Sequence, residues 1–140
     1  DLRGHTHQIE THRGRVVLVS FWASWCPPCL VEMPGLQRLA KRLAERPFAV
    51  LAVNVGERPN QLRRALKLTG FEQPVLLDSG SETFSQWGAS VLPTSYLIDK
   101  TGHIRYEVVG PLDWEDDEAA AIEALLAEPP PADSAPDAPP

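Results

Sequence analysis

The chain has 140 residues, 43% of them hydrophobic, and a formal net charge of −6. That length suits one domain with one core, and the acidic balance argues against nucleic acid or an anionic membrane surface as the main partner. No apolar run approaches the ~18 residues of a membrane span, and a first residue of Asp1 leads us to expect a removed targeting segment or an excised domain.

Residues 1–15 are polar, with turns expected at Gly4 and Gly14 and a short strand at Gln8 to Thr11. Val16 to Trp22 is apolar almost throughout and reads as a central strand covered on both faces. From Pro27 to about Glu45, Leu30, Met33, Leu36, Leu39 and Leu43 recur at helical spacing. Pro27 suits the first turn of that helix, and Pro34 predicts a kink between Leu30 and Pro34. Phe48 to Val55 forms a second buried strand. Pro59 to Thr69 forms a helix with a solvated basic face (Arg63, Arg64, Lys67), stopped by Gly70. A short strand at Pro74 to Leu77 precedes a short helix at Ser81 to Trp87, with Ser81 as its cap. Thr94 to Asp99 and His103 to Val109 are strands joined by the hairpin turn Asp99-Lys100-Thr101-Gly102. Asp113 caps a final helix that runs to Ala127 on Ile122, Leu125 and Leu126. The domain therefore spans 1–127. The Pro- and Ala-rich tail 128–140 has too little to bury to order itself. This is an α/β pattern: a mixed central sheet flanked by helices.

Both cysteines stand in Trp25-Cys26-Pro27-Pro28-Cys29, between the first strand and the first helix. A Cys-x-x-Cys at a helix N-terminus suits disulfide exchange, because unsatisfied N–H groups and the helix dipole favour a thiolate there. Cys26 is expected to be the exposed attacking thiol, and Cys29, a turn further in, the resolving one. Half a zinc site and a structural disulfide are the plainer readings. Zinc needs two more ligands, and His5, His7, His12 and His103 show no suitable spacing. The first three stand in a polar, turn-rich segment and are expected to be solvated.

Three motifs, in order, carry a resemblance: Gly14 through Cys29, then Glu32-Met33-Pro34, then Val91-Leu92-Pro93-Thr94-Ser95-Tyr96-Leu97-Ile98-Asp99. They resemble the thioredoxin superfamily and, within it, the TlpA/ResA-type bacterial extracytoplasmic branch. The resemblance implies a thioredoxin fold with an N-terminal hairpin and an inserted helix–strand unit near residues 59–77. It also implies location in the periplasm or on the extracytoplasmic face of the membrane. Many thioredoxins bury an Asp where this chain has Ser20, so that carboxylate is absent here. The branch has instead a Glu at the position of Glu32, implied to assist proton transfer for Cys29 and to raise the thiol pKa values; the alternative is a solvated first-turn acid.

Pro93 is implied to be cis and to set the backbone of Leu92 where an extended substrate can pair with it. Trp25, Pro27, Pro28, Leu92, Pro93 and Thr94 form the expected substrate contacts, while Trp22, Trp87 and Trp114 are expected to pack. The implied role is that of a monomeric reductant of disulfide-bearing clients, such as an apo-cytochrome c or a copper-site protein. A membrane donor of DsbD/CcdA type would supply its electrons, with no cofactor beyond the Cys26–Cys29 disulfide and no metal. A disulfide-forming oxidase is the near rival. A copper chaperone using Cys26, Cys29 and a histidine such as His103 is the rival from another class, and a peroxidase a weaker one.

Overall fold

A computed structural model of the chain describes residues 1–2, 4, 6, 8–114 and 119–131. Five strands form one mixed sheet: β1 (Val16–Trp22), β2 (Phe48–Val55), β3 (Val75–Asp78), β4 (Thr94–Ile98) and β5 (Ile104–Val109), in the spatial order β3-β2-β1-β4-β5. β1 is buried at every position and occupies the centre, as its uninterrupted apolar run predicts. It pairs in parallel with β2, from Val16 opposite Phe48 to Trp22 opposite Asn54, and antiparallel with β4, from Val17 opposite Ile98 to Phe21 opposite Thr94. β3 extends the parallel half. β5 closes the antiparallel edge through the predicted hairpin, with a register shift at Leu97/Ile98.

The sheet's two faces are covered unequally. Val16, Leu18 and Trp22 point into a large core with Leu36 and Leu39 of α1 (Pro27–Arg42), Leu62 and Ala65 of α2 (Pro59–Thr69), and Ile122 and Leu125 of α4 (Ala119–Ala127). Val17, Val19 and Phe21 point the other way, where the cover is the five-residue α3 (Glu82–Gln86) and the segment around Ile9. There Phe21, Phe84, Trp87 and Tyr96 pack edge to face, with ring centroids 5.2–6.0 Å apart. A recess of about 410 Å³ opens on this thinner face, floored by Val19, Phe21, Leu51 and Val53.

Some local expectations need correction. Gln8 to Thr11 is not a strand, so the N-terminal hairpin is not formed there: Ile9–His12 is a single 3-10 turn, in which the Thr11 hydroxyl donates back to the Gln8 carbonyl at 2.7 Å. A local side-chain bond of that kind competes with strand pairing. Ser81 precedes α3 but makes no capping bond; its φ is +59°. Asp78 caps the helix instead, accepting from the N–H groups of Thr83 (3.2 Å) and Phe84 (2.9 Å). α1 is one 16-residue helix that continues through Pro34. α2 ends as predicted at Gly70, whose φ of +69° suits a residue without a side chain. Glu128, assigned above to the tail, is tied to the domain: its carboxylate pairs with Arg105 at 2.8 Å and its carbonyl accepts from Lys100 Nζ at 2.8 Å. Asp113 and Trp114, expected to open the last helix, are not helical, and the helix is described from Ala119; residues 115–118 and most of the tail, 132–140, lie outside the described residues.

Candidate active site

β1 delivers the dithiol. After Trp22 the chain makes a turn from Ala23 to Cys26, closed by the Cys26 N–H on the Ala23 carbonyl at 3.2 Å, and Cys26 becomes the N-cap of α1. Pro27 and Pro28 open the helix where no N–H is missed. Cys26 and Cys29 are joined in a disulfide, and the Cys29 N–H points at the Cys26 sulfur at 3.3 Å. In this oxidised state Cys26 is 4% exposed, so it is not the open thiol that its position suggested. Bonded to Cys29, it packs into the same core as Trp22 and Met33. What faces solvent is its surroundings: Trp25 is 68% exposed, and Pro27 and Pro28 are exposed beside it.

The Pro93 loop lies at the same end of the sheet. Thr94 pairs with Phe21, at the last rung before β1 leaves toward Cys26, so Val91, Leu92 and Pro93 extend beyond that rung. The Leu92–Pro93 peptide is cis, and the Pro93 carbonyl is held by the Gly110 N–H at 2.8 Å. Leu92 is half-buried against both cores, and Val91 is 49% exposed. The residues expected to contact substrate gather at one end of the sheet, but Pro93 and Thr94 are buried there, Thr94 between Phe21 of β1 and Val109 of β5, which leaves Trp25, Pro27, Pro28 and part of Leu92 open to a client. Trp22 and Trp114 are buried, and Trp87 belongs to the aromatic cluster. Arg63, Arg64 and Lys67 are exposed on α2. His103 stands in the hairpin at the other end of β1, roughly 20 Å away at ~3.3 Å per strand residue, too far to complete a copper site with Cys26 and Cys29. His5 and His7 lie outside the described residues.

Glu32 is not a solvated first-turn acid. One turn beyond Cys29 on the buried face of α1, it is 5% exposed. Its Oε2 accepts from the Leu112 N–H at 2.8 Å, and its Oε1 lies 3.5 Å from the Ser20 hydroxyl. Burial pushes its pKa up to about 7, against the lowering influence of the Leu112 N–H, the Trp114 indole and Ser20. The Trp114 N–H faces this carboxylate without reaching full hydrogen-bond geometry. The helix thus brings a carboxylate to Ser20, the position where the resemblance placed a strand Asp.

A second buried carboxylate was not anticipated. Glu57 follows β2 through Gly56, whose φ of +74° turns the chain. Its Oε1 accepts from the Ser24 N–H at 2.7 Å and from Asn54 Nδ2 at 2.9 Å, and its Oε2 from the Ser24 hydroxyl at 2.5 Å. Burial pushes its pKa up, but the bonds from Ser24 and Asn54 outweigh that and hold it below the ordinary carboxylate value. The signal available in sequence was an acid just past the C-terminal end of a buried parallel strand, where sites of open α/β sheets gather.

The pattern of the Redoxin family matches residues 1–126. The chain belongs to the Redoxin family. It is 34% identical over 116 residues to the thiol-disulfide oxidoreductase ResA of Geobacillus kaustophilus, covering 83% of this chain and 67% of that protein. Among solved structures it resembles a thioredoxin-family thiol:disulfide interchange protein of Chlorobium tepidum (27% identity, TM-score 0.77, 90% of each chain). It also resembles StoA of Bacillus subtilis (29% identity, TM-score 0.65, 74% of this chain and 79% of that one). With these relatives and a disulfide in the Cys-x-x-Cys, the activity is thiol–disulfide oxidoreduction.

Proposed function

We propose that this protein is an extracytoplasmic reductant of disulfides in client proteins. The observation that carries the direction is the position of Glu32, a buried carboxylate one helical turn from Cys29. A negative charge there disfavours thiolates, and a dithiol whose thiolate is poorly stabilised makes the more reducing couple. The N-terminus of α1 acts in the opposite sense and keeps Cys26 reactive.

The reduced protein begins the cycle. Cys26 thiolate attacks a client disulfide, one client thiolate leaves, and a mixed disulfide joins client and Cys26. Cys29 then loses its proton and attacks the Cys26 sulfur, releasing the second client thiol and forming Cys26–Cys29. Two electrons and two protons pass to the client. Glu32, titrating near neutrality, is suited to take the Cys29 proton. Trp25, Pro27 and Pro28 offer an apolar contact beside the sulfurs, with the half-buried backbone around Leu92 as the edge for an extended client segment; Thr94, buried between β1 and β5, stands behind it. A membrane dithiol donor of DsbD/CcdA type would reduce the resulting disulfide. Clients in cytochrome c maturation or copper-site assembly fit a monomer of this kind. Among the described residues no helix is long and apolar enough to cross a membrane.

Equilibration with glutathione buffers tests the direction. A potential near thioredoxin's ~−270 mV supports a reductant, and one near DsbA's ~−120 mV an oxidase. Tight stoichiometric Cu(I) binding with slow exchange would favour the copper chaperone.

A further inference from the structure

Glu57 bonds to the segment that delivers Cys26. Ser24 is the first of the two central residues of the Ala23–Cys26 turn, and Trp25 is the second. Both donors of Ser24, its N–H and its hydroxyl, are taken by one carboxylate from the loop after β2. That carboxylate is itself held. Asn54, 0% exposed at the end of β2, donates to it, and the Glu57 carbonyl accepts from the Ser79 hydroxyl at 3.3 Å. The Gly56 N–H bonds the Asp78 carbonyl at 2.9 Å, so the loops that follow β1, β2 and β3 are tied together around Glu57. Gly56 leaves little room for a side chain, since an added Cβ would lie 3.3 Å from the Ser81 hydroxyl.

Two donors taken by the two ends of one side-chain group fix orientation as well as distance. Nothing in thiol exchange requires Glu57 to touch a substrate. Its geometry addresses the step before: how a two-residue turn, with an exposed Trp25 at its tip, holds the first sulfur within reach of the second. A dithiol held close forms its disulfide more readily, because little freedom remains to be lost on closure.

We infer that Glu57 is a positioning residue for the dithiol: by clamping Ser24 from the β2 side it holds the Ala23–Cys26 turn, and with it Cys26, in the arrangement that favours the disulfide. The inference rests on Cys26 being the attacking thiol. It assigns Glu57 no proton transfer and no contact with a client.

The test measures the equilibrium with glutathione and the pH dependence of Cys26 alkylation for four variants, each checked for cooperative unfolding. Glu57→Ala should shift the equilibrium toward the dithiol about tenfold, which for two electrons is about 30 mV more oxidising. Ser24→Ala, which keeps the backbone donor, should shift it about threefold in the same direction. The Glu57→Ala/Ser24→Ala double variant should shift no further than Glu57→Ala alone, within about twofold. Glu57→Gln should return within about twofold of the wild type, because a Gln oxygen still accepts from Ser24 and Asn54, and the Ser24 hydroxyl can turn to accept from the amide. Wild-type values in a folded Ser24→Ala variant would overturn the inference, as would additive single effects. So would a Glu57→Gln variant that behaves like Glu57→Ala, since charge rather than the clamp would then be at work. If Glu57→Ala does not fold, the Ser24→Ala shift decides alone. Reduction of insulin by the wild type is a separate control: its failure would strike the proposed client activity and leave these equilibria readable.

Discussion

Glu32 and Glu57 are the same residue type, 5% and 6% exposed, and they serve the same end of the sheet, yet their carboxyls are driven in opposite directions. Glu32 lies in the apolar core with one short donor, Leu112 N–H, and a Ser20 hydroxyl at the limit of bonding. Burial wins there, and the proton is held to about pH 7. Glu57 receives three donors at 2.5–2.9 Å, and the charge wins. Surface exposure alone does not decide protonation: Glu32 lies deeper in the protein, and Glu57 has more donors, and both differences push the same way. One carboxyl is thereby suited to exchanging a proton near neutrality and the other to serving as a permanent anionic anchor.

The largest test of this contrast is Glu32→Gln. Between pH 4.5 and about 7 the folded protein keeps a proton that the unfolded chain has lost, so wild-type stability from this group is full below 4.5 and falls as pH rises across that window. The interval corresponds to roughly 3 kcal/mol. Urea unfolding of the oxidised protein at pH 4.5 and pH 7.5 should therefore show the variant losing less stability than the wild type over that range, by up to about that amount. Equal slopes would break the comparison.

Glu57→Ala should show the opposite sign. A carboxyl held below its ordinary value stabilises above the unfolded pKa, and the contribution is lost as pH falls through the folded one. The substitution strands the Ser24 N–H and the Asn54 amide, so it should cost about 2 kcal/mol at pH 7 and distinctly less at pH 4, read from the same unfolding curves. The smallest effect belongs to Ser20→Ala. Removing this buried hydroxyl, 3.5 Å from Glu32, should cost about 1 kcal/mol or less and move the Glu32 titration, followed by carboxyl NMR, slightly upward.

How far these features were legible in the sequence follows the range of the interactions. The continuous apolar run of β1, the helical spacing after Pro27 and the Asp99–Gly102 turn are local patterns, and each formed where expected. The Cys-x-x-Cys and the Pro93 loop were legible as motifs, and strand register brings them to one end. Glu32 was ambiguous because a first-turn acid and a buried one share the same spacing; only the shared buried face of Cys29, Glu32, Met33 and Leu36 separates them. Gln8 to Thr11 was misread because a side-chain bond within four residues outcompeted pairing. Asp78 was missed as a cap because it reaches α3 from the end of β3. Glu57 was legible only as an acid just past a buried parallel strand; its role was not, because its partner Ser24 lies 33 residues away and contact between two strand-end loops leaves no periodicity to read.

The most direct test of the exchange chemistry is a trap. Reduced Cys29→Ser protein mixed with disulfide-bonded insulin should accumulate a covalent adduct, which peptide mapping by mass spectrometry places on Cys26, whereas Cys26→Ser should accumulate none. An adduct formed only by the Cys26→Ser variant, or by neither, would contradict the assignment of Cys26 as the sulfur that meets the client.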